Sequence, residues 1–323
     1  MSAPKVSVLI PTFNYGRFLG EAIESVLAQD FKDYELIIID DCSVDDSQAV
    51  AAHYAARHPH CRFEVNPQNL GMVANWNRGL AAARGVYVKY LFGDDKLAVP
   101  NALGQLVSML DSAPSLALAA SGRIILDERS RRLDRWAPFG ATGRYPGKKA
   151  ILRCLGRNAN LIGEPSAVLF RRDRGARGFD ENFQHLVDLE MWFHLLEQGD
   201  MAYTREALCC FRVHAKQQSA SNAARRVGEN EHGRLLRNYD KPWLREETSA
   251  GERFHIAHNL ERSARLAQDA PTAALAARYR QSVPALWRPL FWTTGEAAGL
   301  SRRLCRSLAK RLWRWYYSMA RSD

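Results

Sequence analysis

An α/β fold on a doubly wound, mostly parallel sheet, followed by a helical C-terminal region, is the architecture this sequence predicts. Three observations carry that reading. Short β-branched runs alternate with helix-length amphipathic runs from Val6 to Phe92. Acidic residues gather just after the predicted strands. From Ala223 onward only helical patterning remains, dense in arginine. Domains are therefore expected at 1–222 and 223–323, the first holding the chemistry.

Val6–Ile10 reads as the first strand, ended by Pro11. Phe18–Gln29 reads as a helix with Leu19, Ile23, Val26 and Leu27 on one face. Glu35–Ile39 is a second strand, with the isoleucine density of a strand buried on both sides. Ser47–Arg57 is helical, Arg62–Val65 a short strand, Met72–Ala83 helical and Val86–Phe92 a fourth strand. A helix follows Pro100 to about Leu110, then a strand from Leu116 to Ser121. Residues 127–150 are polar and dotted with glycine and proline, and read as a long excursion or lid. Ser166–Phe170, Met201–Thr204 and Ala207–Val213 read as strands, and Asp188–Gln198 as a helix.

The chain has 323 residues, 46% hydrophobic and 25% charged, which permits a sizeable core. Its formal net charge of +10 favours anionic partners: nucleotide phosphates, nucleic acid or an acidic membrane. Six cysteines occur at 42, 61, 154, 209, 210 and 305, without Cys-x-x-Cys or zinc spacing, and read as reduced thiols. His53, His58 and His60 read as surface residues. Neither a secretory signal nor an apolar run of spanning length is visible, so a cytoplasmic protein is expected.

Two carboxylates at the end of a buried strand are costly unless a cation neutralises them. Asp94-Asp95 follow Leu91-Phe92 in that way, and Asp40-Asp41 follow Ile37-Ile38-Ile39. In open α/β sheets, ligands bind at the carboxyl ends of strands. A divalent cation carrying phosphate oxygens fits such a place. Asp188 heads an amphipathic helix and is free to act as a base away from that cation. The bland alternatives are turn residues for Asp40-Asp41 and helix caps for Asp95 and Asp188. The matching reaction is transfer between oxygens with a diphosphate leaving group.

Five ordered segments carry a resemblance. Val6-Ser7-Val8-Leu9-Ile10-Pro11-Thr12-Phe13-Asn14, Glu35–Ser47, Asn69–Leu80, Asp188-Leu189-Glu190-Met191-Trp192 and Arg212-Val213-His214 resemble the successive motifs of family 2 glycosyltransferases, across roughly residues 4–220. The resemblance implies a GT-A fold, a nucleotide-sugar donor and an inverting single displacement. By position, it implies that Pro11, Thr12 and Phe13 line the nucleotide pocket and that Asp41 accepts the N–H of a uracil or thymine ring. A UDP- or dTDP-sugar is thus expected ahead of a GDP-sugar. Asp94 and Asp95 match the metal-binding pair for Mg²⁺ or Mn²⁺, with Asp95 the direct ligand. Asp188 matches the base, His214 a residue at the metal or diphosphate, and Arg212 its support. Two positions depart from the pattern: Phe92 stands where many relatives have an Asp, and Val187 where many have an acid.

Asn69, Asn75 and Asn77 read either as contacts to donor hydroxyls or as backbone stitching. Gly71 and Gly79 read as turn or packing residues. Lys89 reads as reaching phosphate or snorkelling to solvent.

In Ser301–Arg321, Leu304, Leu308, Leu312, Trp315 and Met319 share one helical face, with arginines and lysines largely off it. Such a basic amphipathic helix suits an anionic membrane surface, and Trp287, Phe291 and Trp292 would add to it. The expected partners are a nucleotide-sugar, a glycan or lipid-linked acceptor and that membrane surface, with no nucleic acid. A peripheral position on the inner face of the cytoplasmic membrane follows. The competing readings are a metal-dependent nucleotidyltransferase and a non-enzymatic nucleic-acid-binding protein. The first lacks a Gly/Lys-rich phosphate loop near the first strand, and acidic strand ends disfavour the second. Gly-x-Gly-x-x-Gly and Walker spacing are absent, which excludes the common dehydrogenase and kinase signatures.

Overall fold

A computed structural model of the chain describes residues 3–285 apart from 216, 219–221 and 223–226. The chain divides into two compact units. The first takes Met1–Leu155 and Ala159–Glu231; the second takes Gly156–Asn158 and the chain from His232 onward.

The first unit is an α/β layer structure. Strands β1 (Val6–Thr12), β2 (Tyr34–Asp40), β3 (Cys61–Val65) and β4 (Tyr87–Tyr90) form a parallel half-sheet in the order β3-β2-β1-β4. Helices α1 (Gly16–Leu27), α2 (Ser47–Ala55) and α3 (Met72–Ala82) connect them. Every residue of β1, β2 and β4 is buried, as expected of strands covered on both faces. Leu19, Ala22, Ile23 and Val26 of α1 pack with Val8, Ile10, Leu36 and Ile38. Each such fully buried large side chain stabilises the fold by about 1.5–3 kcal/mol. On α3, a Cβ at Gly79 would sit 3.4 Å from Ile39 and 3.7 Å from Leu9, at ordinary van der Waals contact, so helix and sheet pack closely there.

Beyond β4 the sheet is mixed. The order continues through β9 (Val168–Arg171), β6 (Leu116–Leu126), β10 (Asp200–Arg212) and β5 (Lys96–Leu97). Strand β9 runs antiparallel to both β4 and β6, while β10 is parallel to β6. These directions bring the C-terminal ends of β1, β2, β4, β6 and β10 and the start of β9 to one edge.

The excursion expected over 127–150 instead joins the sheet. Strand β7 (Arg132–Trp136) pairs antiparallel with β6, β8 (Gly143–Tyr145) pairs with β10, and helix α4 (Gly147–Arg157) follows. The five residues of β7 are all exposed, so ladder hydrogen bonds hold the strand and no apolar pattern marks it. The two pieces read at 201–204 and 207–213 are one strand, β10, with register shifts between Thr204 and Ala207 and between Ala207 and Cys209. Bulges interrupt the period-two pattern and divide one strand into two apparent ones.

Helix Val227–Asn238 spans the division at Glu231, and helices Pro242–Glu247, Ala250–Ala267 and Ala270–Ser282 belong to the second unit. Ser249 and Glu252 form a reciprocal capping box at the start of Ala250–Ala267. Ile256, Leu260, Leu275, Ala276 and Tyr279 are buried between the last two. No helix among the described residues is long and apolar enough to cross a membrane. The Ser301–Arg321 segment, with Trp287, Phe291 and Trp292, lies outside the described residues.

Candidate active site

The shared sheet edge gathers residues from five strand ends. After β4, Leu91-Phe92-Gly93 leads to Asp94 and Asp95, 5% and 2% exposed. A Cβ at Gly93 would lie 3.1 Å from Thr12 Oγ1 and 3.3 Å from Tyr15, so a larger residue in this turn would require those side chains to shift by a few tenths of an ångström. Asp94 Oδ2 lies 3.1 Å from His214 Nε2, in a side-chain ring 5% exposed against Phe18. Asp95 Oδ1 accepts the backbone N–H of Arg212 at 2.9 Å. Asp95 Oδ2 is buried without a hydrogen-bond partner. Burial, then the charge of Asp94, holds the Asp95 carboxyl well above the usual carboxylate range. Burial, then these two acids, raises the Tyr15 hydroxyl as well.

Arg212, 1% exposed, is the hub of the edge. Its Nε donates to the Asp94 carbonyl at 2.7 Å, and its Nη1 to Ser130 Oγ at 2.7 Å. Its Nη2 pairs with Glu21 at 3.2 Å, and the guanidinium stands 4.6 Å over the Phe18 ring. It thus ties the Asp94 turn to α1 and to the turn after β6.

The β1 and β2 ends are stitched together. Asn14 N donates to Ser43 Oγ at 2.8 Å, and Val44 N to Asn14 Oδ1 at 2.9 Å. Pro11 and Thr12 are buried, Thr12 Oγ1 lacks a partner, and Phe13 is 44% exposed. Asp41 Oδ1 accepts from Leu70 N and Asn66 Nδ2, both at 2.7 Å, and Oδ2 from Gly71 N at 2.9 Å. A carboxylate has about four acceptor positions, so this arrangement leaves Asp41 about one for a ligand.

Asn75 stands 3% exposed, its Oδ1 accepting from Asn66 at 2.9 Å and its Nδ2 donating to the Ile39 carbonyl at 3.3 Å. Its amide braces the Asp41 loop. Asn69 and Asn77 stitch backbone likewise, Asn69 to the Asp41 carbonyl and Asn77 to both N and O of Phe179. Lys89 neither reaches the edge nor snorkels. It is fully buried, with Nζ donating to the carbonyls of Pro165, Ser166 and Val168, because β9 covers that side of β4. Burial pushes its pKa down to about 8.

Asp188 is half-buried in the first turn of helix α5 (Val187–Leu196). It is not an N-cap: Leu186 holds that position, and the Asp188 Oδ1 accepts from Leu189 N at 2.7 Å. Its Oδ2 accepts from Asn160 Nδ2 at 2.8 Å. Asn160 also bonds both N and O of Gly163, and Trp192 Nε1 donates to the Gly163 carbonyl at 2.9 Å. Three residues on, Ser166 Oγ accepts from Phe92 N at 3.1 Å. The 160–166 segment therefore bridges the Asp188 helix and the Asp95 turn. Burial, then the charge of Glu164, pushes the Asp188 carboxyl up to about 7.

Asn160, Glu164 and Arg123 are site residues that sequence reasoning missed. Arg123 is 3% exposed, with Nε 2.7 Å from Glu164 Oε2, a close ion pair although the N–H directions make no hydrogen bond there. The signal available in sequence was the polar run Asn160–Ser166 before a strand, which looks like any loop. Both departures acquire reasons: Phe92 stacks on Trp76 at 4.9 Å, and Val187 is buried in the core at 2%.

Among the described residues no group of three or more His, Cys, Asp or Glu side chains converges as a complete metal cage. The unpartnered Asp95 oxygen and the Asp94–His214 pair nonetheless fit a hard cation that takes its remaining ligands from substrate phosphates and water.

The family model described as glycosyl transferase family 2 matches residues 7–174. The putative glycosyltransferase EpsE of Bacillus subtilis is 32% identical over 211 residues, 64% of this chain and 72% of the relative. The putative teichuronic acid biosynthesis glycosyltransferase TuaG of the same organism is 28% identical over 213 residues, 65% of this chain and 79% of the relative. The crystal structure of S. aureus TarS 1-349 in complex with UDP-GlcNAc superimposes with a TM-score of 0.62 at 18% identity, covering 89% of this chain and 86% of that one. At that identity the likeness concerns the fold, which is GT-A.

Proposed function

The chain belongs to glycosyl transferase family 2, and on that premise we propose that it moves a sugar from a nucleotide-sugar donor to a hydroxyl of a glycan or lipid-linked glycan, with inversion, in cell-surface polysaccharide synthesis. One observation carries the reading. A buried acidic turn with a free carboxylate oxygen and a separate carboxylate of raised basicity meet through one bridging segment at the ligand-binding edge of the sheet.

In this mechanism Asp95, with Asp94 and His214, would hold Mg²⁺ or Mn²⁺. The bound cation would supply charge neutralisation for the departing diphosphate. Phe13 offers an aromatic face to the base, and Asp41 offers its remaining acceptor position to the ring N–H of uracil or thymine. Asp188 accepts the proton of the incoming hydroxyl, whose oxygen bonds the anomeric carbon as the bond to the diphosphate breaks. Its raised pKa makes it a stronger base than a free carboxylate, and Asn160 fixes its direction. Arg212 keeps the acidic turn in place without touching the reacting atoms. The Ser301–Arg321 segment holds the enzyme to the inner face of the cytoplasmic membrane, beside lipid-linked acceptors.

A panel of UDP-, dTDP- and GDP-sugars incubated with Mg²⁺ or Mn²⁺ tests the reading. Release of nucleoside diphosphate is expected, and the anomeric configuration of the product, followed by NMR, should be opposite to that of the donor. Release of pyrophosphate, or retained configuration, would contradict it.

A further inference from the structure

The helical unit contains a cavity that the transfer chemistry does not use. Its volume is about 390 Å³, and its walls include Asp240, Arg245, Arg253, Arg278, Tyr279 and Ser282. Three helices supply one arginine each: Pro242–Glu247 gives Arg245, Ala250–Ala267 gives Arg253, and Ala270–Ser282 gives Arg278. Among the described lining residues Asp240 is the single carboxylate. Its side chain is 8% exposed, accepting from Arg278 Nη2 at 3.1 Å and from the Tyr279 hydroxyl at 3.0 Å, with Arg245 Nε 3.8 Å away.

Arg253 is held differently. Its Nε donates to the Ser282 carbonyl at 3.3 Å and its Nη1 to the Thr248 carbonyl. Carbonyls satisfy N–H groups but cancel no charge. Three guanidinium charges therefore face one carboxylate, leaving two in excess around an open volume. Arg245 and Arg278 have side chains 48% and 61% exposed, so their remaining donors are accessible to a ligand. Asp240 orients them, and Tyr279, buried and raised by burial, stays a neutral hydroxyl. Guanidinium forks match the paired oxygens of phosphates, and the volume suits a small ligand.

We propose that this cavity is a binding site for a phosphate or diphosphate group, with Arg245, Arg253 and Arg278 as its ligands and Asp240 as their orienting partner. All of these residues belong to the helical unit, and the site does not depend on the transfer assignment. The group belongs either to a soluble compound or to a lipid that bears it, and the test separates these sources.

Inorganic phosphate and pyrophosphate are titrated calorimetrically into the full chain and into Arg245→Gln/Arg278→Gln. Saturable pyrophosphate binding that weakens at least tenfold in the variant is expected, with Mn²⁺-dependent nucleotide binding unchanged. Arg253→Gln, which leaves the Asp240 cluster intact, should weaken it by a smaller factor. Phenylglyoxal modification of the unaltered chain, mapped by mass spectrometry, should show pyrophosphate protecting Arg245 and Arg278. Co-sedimentation with phosphatidylcholine vesicles, with and without a polyprenyl diphosphate, assigns the source. Variant-sensitive vesicle binding indicates the lipid, and soluble binding alone indicates a free compound. Equal affinity in chain and variants, or no protection of the arginines, would overturn the proposal.

Discussion

Asp94 and His214 are 120 residues apart in sequence, yet Oδ2 of one lies 3.1 Å from Nε2 of the other. The contact joins the turn after β4 to the end of β10, two strands that are not neighbours in the sheet. Its meaning for metal binding is open to direct measurement. Asp95→Ala should weaken Mn²⁺-dependent binding of a nucleoside diphosphate by tenfold or more, and His214→Ala by less. Titration calorimetry with and without Mn²⁺ reads both, and unchanged metal dependence in Asp95→Ala would remove it from the ligand set.

For Asp188→Asn, transfer should fall by about 10²–10⁴-fold, the usual contribution of a general base. Donor affinity should stay within about twofold, because the proposed role of Asp188 is on the acceptor hydroxyl. Substantial turnover in this variant would reject the assignment.

The pH dependence follows from the raised Asp188 carboxyl. A base must be ionised, so turnover should fall as pH drops through about 7, where an ordinary carboxylate would still be active. Because Glu164 adds to that elevation, Glu164→Gln should move the inflection to lower pH. An unmoved inflection would mean that Glu164 does not act on the base.

Stability has the opposite sign. The folded state holds the Asp188 proton more tightly than the unfolded chain, so stability is lost as pH rises from the unfolded carboxylate pKa to about 7 and stays lost above it, and this cost is absent below the unfolded pKa. The melting temperature of Asp188→Asn relative to the parent should therefore rise between pH 4 and pH 8. A constant difference across that range would show the carboxyl to be unperturbed.

Arg212→Met should destabilise the first unit by about 3 kcal/mol, the lower part of the range for breaking a buried ion pair. Glu21, left behind, is partly exposed and can be hydrated, which keeps the loss from being larger. Urea unfolding followed by circular dichroism measures it.

Much of this architecture was legible in the chain itself. Alternation of Val8, Ile10, Leu36 and Ile38 with the stripe Leu19-Ile23-Val26 specifies buried strands and covering helices through local periodicity. The acidic turn after β4 announced itself because ionised groups following an apolar strand need a reason. What stayed hidden was polar and non-local. Strand β7 exists through hydrogen bonds to β6 and carries no burial pattern. Lys89 looked free because its acceptors, the carbonyls of Pro165, Ser166 and Val168, arrive from far along the chain.

By itself, then, the sequence determined the order of strands and helices as far as β4, the acidic turn, the Asp188 helix and the family. Local patterns and short motifs encode those, since they depend on neighbours a few residues away. Only the tertiary structure decided that Asn160 bonds Asp188, that Arg212 holds Asp94 in place, and that three arginines surround one cavity. Those are properties of distance and dielectric, which arise when segments remote in sequence share one dry space.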